Sequence, residues 1–209
     1  QRVLDGLRVD FQTDDNKVHE ERFETIGATV SSQLRSRAVW ATILVNLAII
    51  FYVAYAFRRV AKPVASWKYG VLAIVALIHD ALIVMGVFAL LGKYLNVEVD
   101  IAFVVAVLTV VGYSVNDTIV VFDRVRENLA KRVGTSFTDT VNIGLNQTLM
   151  RSINTSFTTL LVLIALFFFG GSTTQNFVLA LIIGIISGTY SSIFIASPLL
   201  VLVEKWQRR

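Results

Sequence analysis

Gly112-Tyr-Ser-Val-Asn-Asp-Thr-Ile-Val-Val-Phe-Asp-Arg-Val-Arg-Glu-Asn128 completes an apolar run that begins near Val99. The run is long enough to form a membrane-spanning helix, and it puts Asn116 and Asp117 inside that helix. An ionisable group at such depth is costly in hydrocarbon, so it is expected to face protein or water and to serve a function. Arg151, in the next apolar span, is in the same position. The two charges are read as answering each other, with a proton moving through their neighbourhood.

The composition supports the membrane reading. Hydrophobic residues make up 55% of the 209 positions and charged residues 16%, and the mean hydropathy is +0.67. A soluble domain of this length carries more charge and breaks its apolar runs more often. The net charge of +4 is accounted for by loop lysines and arginines. No basic stripe with interleaved aromatics points to nucleic acid. Zero cysteines exclude disulfides and thiolate metal sites. The chain opens at Gln1, without Met or a signal peptide, and reads as a fragment cut inside a domain.

Residues 1–37 are polar and mixed in charge, with a turn signal at Asp14-Asp15-Asn16 and a weakly alternating stretch from Val18 to Ile26. This piece is too small for its own core and is expected to be the tail of a soluble domain. Residues 38–209 form the transmembrane domain, with spans expected at about 38–57, 70–91, 101–122, 145–169 and 177–203. Arg58, Arg59, Lys62, Lys68, Arg124, Arg126, Lys131, Arg132, Lys205, Arg208 and Arg209 fall in the loops after the first and third spans and in the C-terminal tail. The opposite loops offer only Lys93. The positive-inside rule then puts the C-terminus in the cytoplasm and the N-terminal polar piece outside.

Depth links the two buried charges. Asp117 lies about 17 residues from the outer end of its span and Arg151 about 18 from that of the next, so both sit roughly 26 Å below the outer surface. Neighbouring antiparallel helices would bring them side by side as an ion pair. The competing reading is snorkelling to the inner face, which is easier for Arg151 than for the short Asp117. An acid whose protonation changes when its partner moves or water enters suits a proton relay, and an arginine that stays charged suits the fixed counter-charge.

Asn116, Ser114, Thr118, Asn154, Thr155 and Thr158 either line a wet path or make ordinary interhelical hydrogen bonds. His79-Asp80, near the middle of the second span, either extends the relay outward or locks helix packing. Ala180, Gly184, Gly188, Ser192 and Ala196 place a small residue at every fourth position of the last span. Such a stripe admits another helix backbone at close range.

The Gly112–Asn128 stretch closely resembles the signature of the SecF family, a subunit of the bacterial SecDF protein-export machinery. His79-Asp80, Gln147-Thr148-Leu149-Met150-Arg151-Ser152, Phe168-Phe169-Gly170-Gly171 and Gly188-Thr189-Tyr190-Ser191-Ser192-Ile193 add to it. The resemblance runs from about Ile26 to the C-terminus. It implies an all-α polytopic membrane protein of the resistance-nodulation-division superfamily. This chain would hold the second to sixth of six spans, preceded by the tail of a small α+β periplasmic domain.

The resemblance further implies a location in the bacterial cytoplasmic membrane and partnership with SecD, separate or fused, and with the SecYEG channel and a translocating preprotein. YajC and YidC are further candidates, and membrane lipids surround the whole. The proton-motive force would pull preproteins outward after the SecA motor has pushed them, with Asp117 and Arg151 as the proton-linked pair. Protons are the coupling ion; no other cofactor, metal or enzymatic activity is implied. Gly27-Ala28 departs from the family's usual Gly-Pro, which bears on the turn into the first span.

Two other readings compete. A passive scaffold would only stabilise neighbouring translocon subunits. An intramembrane aspartyl protease would use Asp80 and Asp117 as a dyad. Asp80 lies about 11 residues from its outer end and Asp117 about 17, a difference of roughly 9 Å in depth, which speaks against the dyad. No Gly-x-Gly-Asp pattern is present either.

Overall fold

The computed structural model describes residues 28–56 and 64–207, all of them in helices or the short links between helices. The expected N-terminal turn and strand, and the cations Arg58, Arg59, Lys62, Arg208 and Arg209, lie outside the described residues. The chain divides into two units, Gln1–Trp40 and Ala41–Arg209. Of the first, residues 28–40 are described and are helical. The second holds the helical bundle.

Helix α1 covers Ala28–Ala56, α2 Ser66–Leu95, α3 Ile101–Ala130 and α4 Phe137–Phe169. Helix α5 covers Ser172–Ser191 and continues through a π-turn, Ser192–Ala196, into α6, Ser197–Gln207. By length and composition α2, α3, α4 and the continuous Thr173–Gln207 helix are each able to cross a membrane, and α1 carries the apolar stretch Ile43–Val53. The protein is a polytopic all-α membrane protein: each of these apolar helices satisfies its own backbone groups and so can lie in hydrocarbon.

Local chemistry sets the helix ends. The Asp100 side chain accepts from the Phe103 amide at 2.9 Å and starts α3. Ser136 accepts from the Asp139 amide at 3.1 Å while the Asp139 carboxylate accepts from the Thr135 amide at 2.8 Å, a reciprocal cap. That cap starts α4 well before the apolar span. Gly134, at φ +96°, makes the turn between α3 and α4 that a side chain would strain.

Helix α5 packs against α2, α3 and α4, and α3 packs against α2 and α4 as well. Two apolar clusters occupy opposite ends of the bundle. One joins Tyr69, Ala76, Phe122, Val141, Ala196 and Leu200, and the other joins Val84, Phe88, Val110, Leu163 and Ile185. Along each helix the segment between the clusters carries polar residues: Asp80 on α2, Ser114 and Asp117 on α3, Ser152 and Ser156 on α4, Ser187 to Ser192 on α5 and the turn. A hydrophilic layer therefore crosses the middle of the bundle.

Candidate functional site: two carboxylates in a serine layer

Asp117 sits half-buried where α3, α4 and the π-turn meet. Its Oδ1 accepts from the Ser152 hydroxyl at 2.5 Å and its Oδ2 from the Ser192 hydroxyl at 2.6 Å. Hydroxyl donors suit a carboxylate, since charge-assisted bonds of this kind are about twice as strong as neutral ones.

The direct ion pair expected between Asp117 and Arg151 is not made in this structure. The height was read correctly, because Ser152, the neighbour of Arg151, is what Asp117 touches. The rotation was not: successive residues on a helix point about 100° apart, so α4 turns Ser152 inward and Arg151 to its exposed face. Asn154, Thr155 and Thr158 share that exposed face. Thr155 and Thr158 donate back to carbonyls of their own helix, to Arg151 at 2.8 Å and to Asn154 at 3.0 Å. Asn116 is exposed as well, on α3. Among the described residues none of these four lines an interior path.

Asp80 is fully buried and both its oxygens are engaged. Oδ1 accepts from Ser187 at 2.8 Å and lies 3.0 Å from His79 Nδ1. Oδ2 accepts from Ser114 at 2.5 Å and Ser191 at 2.7 Å. One carboxylate thus ties α2 to α3 and α5. The His79 side chain, 33% exposed, leaves the cradle on its outer side. Among the described residues no hydrogen bond joins Asp80 to Asp117, which a protease dyad sharing a proton would need.

The small-residue stripe is buried along its whole length. Its partner is α3 of the same chain: a Cβ added to Gly188 would lie 3.0 Å from the Ser114 Cβ, and one added to Gly184 would strike Val110. The close approach allows Ser192 to reach Asp117. Of the polar residues singled out in the sequence, Ser114 makes an interhelical hydrogen bond, to Asp80; sequence reasoning missed Ser152, Ser187 and Ser191, which also donate to the carboxylates, and the Ser156–Thr189 contact at 2.5 Å between α4 and α5. It gave Ser192 a packing role alone.

Sequence reasoning missed the π-turn too, although Pro198 signals it. Proline has no amide for the carbonyl of Phe194 and its ring would strike that carbonyl, so the preceding turn widens. The Ser197 hydroxyl caps the Ser192 carbonyl at 3.0 Å. No cluster of His, Cys, Asp and Glu among the described residues is fit to hold a metal ion.

Residues 8–206 match the family described as protein export membrane protein SecD/SecF, C-terminal. The chain belongs to the SecD/SecF C-terminal family. Similar relatives include the protein translocase subunit SecF of Thermobaculum terrenum, 56% identical over 182 residues, which are 87% of this chain and 56% of that protein. The same-named subunit of Haemophilus influenzae is 45% identical over 89% of this chain and 54% of its own length. Among solved structures the fold is similar to a crystal structure of SecDF in its super-membrane-facing form. The TM-score there is 0.74 and the identity 41%, over 88% of this chain and 23% of that one. The chain spans little more than half the length of the SecF relatives it matches.

Proposed function

We propose that this chain is the greater part of a SecF subunit of the Sec protein translocase, one that uses the proton-motive force to help draw preproteins across the bacterial cytoplasmic membrane. The observation that carries the reading is the placement of Asp117. It is an acid at a three-helix junction, held among the described residues by two hydroxyls that accept or donate as its protonation changes. Asp117 is the proton carrier and Arg151 the counter-charge.

Arg151 on an exposed face of a membrane helix, with Asn154, Thr155 and Thr158 beside it, suits a surface covered by a matching SecD half. SecYEG and the preprotein are the further partners in this reading. The lysines and arginines of the loops favour a cytoplasmic C-terminus, with residues 1–37 outside as the remnant of a periplasmic domain.

The test replaces Asp117 by Asn and, separately, Arg151 by Met in the whole subunit with its SecD half, and follows export into membrane vesicles. Both variants are expected to lose the proton-dependent part of export. Near-normal proton-dependent export in either would refute its assignment. A passive scaffold is the second reading, and it would be favoured by export support that survives collapse of the proton gradient.

A further inference from the structure

One turn of helix contacts both carboxylates. Ser191 donates to Asp80 at 2.7 Å, and Ser192, the next residue, donates to Asp117 at 2.6 Å. The π-turn opens at Ser192. Three serine hydroxyls from α3 and α5 donate to Asp80 and His79 Nδ1 lies beside it, so the loss of one leaves it anchored. Among the described residues Asp117 has two donors, and one of them is Ser192.

Ser192 also has a second acceptor, the Thr189 carbonyl one turn back, at 3.0 Å. It therefore stands between two partners, one of which changes with protonation. We propose that Ser192 is the positioning residue that converts the protonation of Asp117 into movement of the last helix, with the Asp80 cradle as the fixed end. This rests on Asp117 being the proton carrier.

With Asp117 ionised, both its oxygens accept, and Ser192 holds the π-turn against α3. With Asp117 neutral, one oxygen carries the proton, the charge that strengthened both bonds is gone, and Ser192 retains Thr189. Ser192 then no longer holds the π-turn against α3, and the turn, kept wide by Pro198, swings away from Asp117. Ser187 and Ser191 meanwhile keep α5 on Asp80, so the motion is confined to the stretch beyond Ser192.

Thr118, next to Asp117, has a fully buried hydroxyl without a hydrogen-bond partner, a spare group at the same junction. The titratable and charged groups on the elements packed around Asp117 are Lys68, Tyr69, His79, Asp80, Lys93 and Tyr94 on α2, Tyr113, Asp123, Arg124, Arg126 and Glu127 on its own helix, Asp139 and Arg151 on α4, Tyr190 on α5, and Glu204 and Lys205 on α6. None of them hydrogen-bonds to Asp117.

The chain has no cysteine, so two can be introduced for spin labels without background. Ile78 on α2 and Phe194 in the π-turn are both exposed and suit Ile78→Cys and Phe194→Cys. The distance between the labels is measured in the whole SecDF-like complex, in membranes, across a pH series. The unsubstituted site is expected to shift by several ångströms as pH falls, and Asp117→Asn to hold the low-pH distance throughout. Ser192→Ala is expected to hold that distance as well, and Ser192→Thr, which keeps the hydroxyl, to restore the response. A Ser192→Ala protein that follows pH like its parent overturns the coupling while leaving Asp117 as carrier. A parent that ignores pH and matches Asp117→Asn overturns both.

Discussion

Gly188→Ala is a sharp test of how the serine layer is held. The added Cβ would lie 3.0 Å from the Ser114 Cβ, 3.2 Å from its hydroxyl and 3.3 Å from its Cα. The last is backbone, so α3 and α5 must separate by some tenths of an ångström. Overpacking of this kind costs about 1–3 kcal/mol. The displaced residue is Ser114, whose 2.5 Å bond to Asp80 ties α3 to α2. A hydrogen bond between membrane helices is worth about 0.6–1.7 kcal/mol, so the combined loss is roughly 2–5 kcal/mol.

Gly86 and Gly112 provide the comparison, since a Cβ at either meets nothing within 4 Å. Alanine there removes glycine's helix penalty, about 1 kcal/mol in water, and is expected to leave stability unchanged or raised. The assay is reversible unfolding of the reconstituted chain, by denaturant titration or steric trapping. Equal stability of Gly188→Ala and the parent would refute the packing argument. So would equal damage from Gly112→Ala.

Two further substitutions probe the ends of the helices. Ser136→Ala removes the cap of α4 and is expected to cost about 1 kcal/mol, read in the same unfolding assay; no change would mean that the Asp139 side of the cap suffices. Pro198→Ala restores the amide that a regular helix needs at that position and is expected to let Ser192–Ala196 become α-helical. Backbone carbon shifts of residues 192–197 in membranes report the change, and a persisting π-turn would show that proline is not its cause.

Several features were legible in the sequence because they sum along a single helix. Apolar length gives the spans, and residue count from the span ends gives depth. Depth alone brought α3 and α4 into register to within one residue, pairing Asp117 with the neighbour of Arg151. The stripe from Ala180 to Ala196 marked the close approach, and Pro198 carried the signal for a widened turn.

Rotation was decided by the tertiary structure. A helix can turn about its axis without changing its length or hydropathy, and a turn of about 100° exchanges Arg151 for Ser152 at the interface. What fixes the angle is packing against helices distant in the chain, as when Ser187 and Ser191 close on Asp80 across 107 and 111 positions. Serines are common in membrane helices and bear no mark of such a partner. Only when α2, α3 and α5 come together do three of them become the donors that make a fully buried carboxylate tolerable.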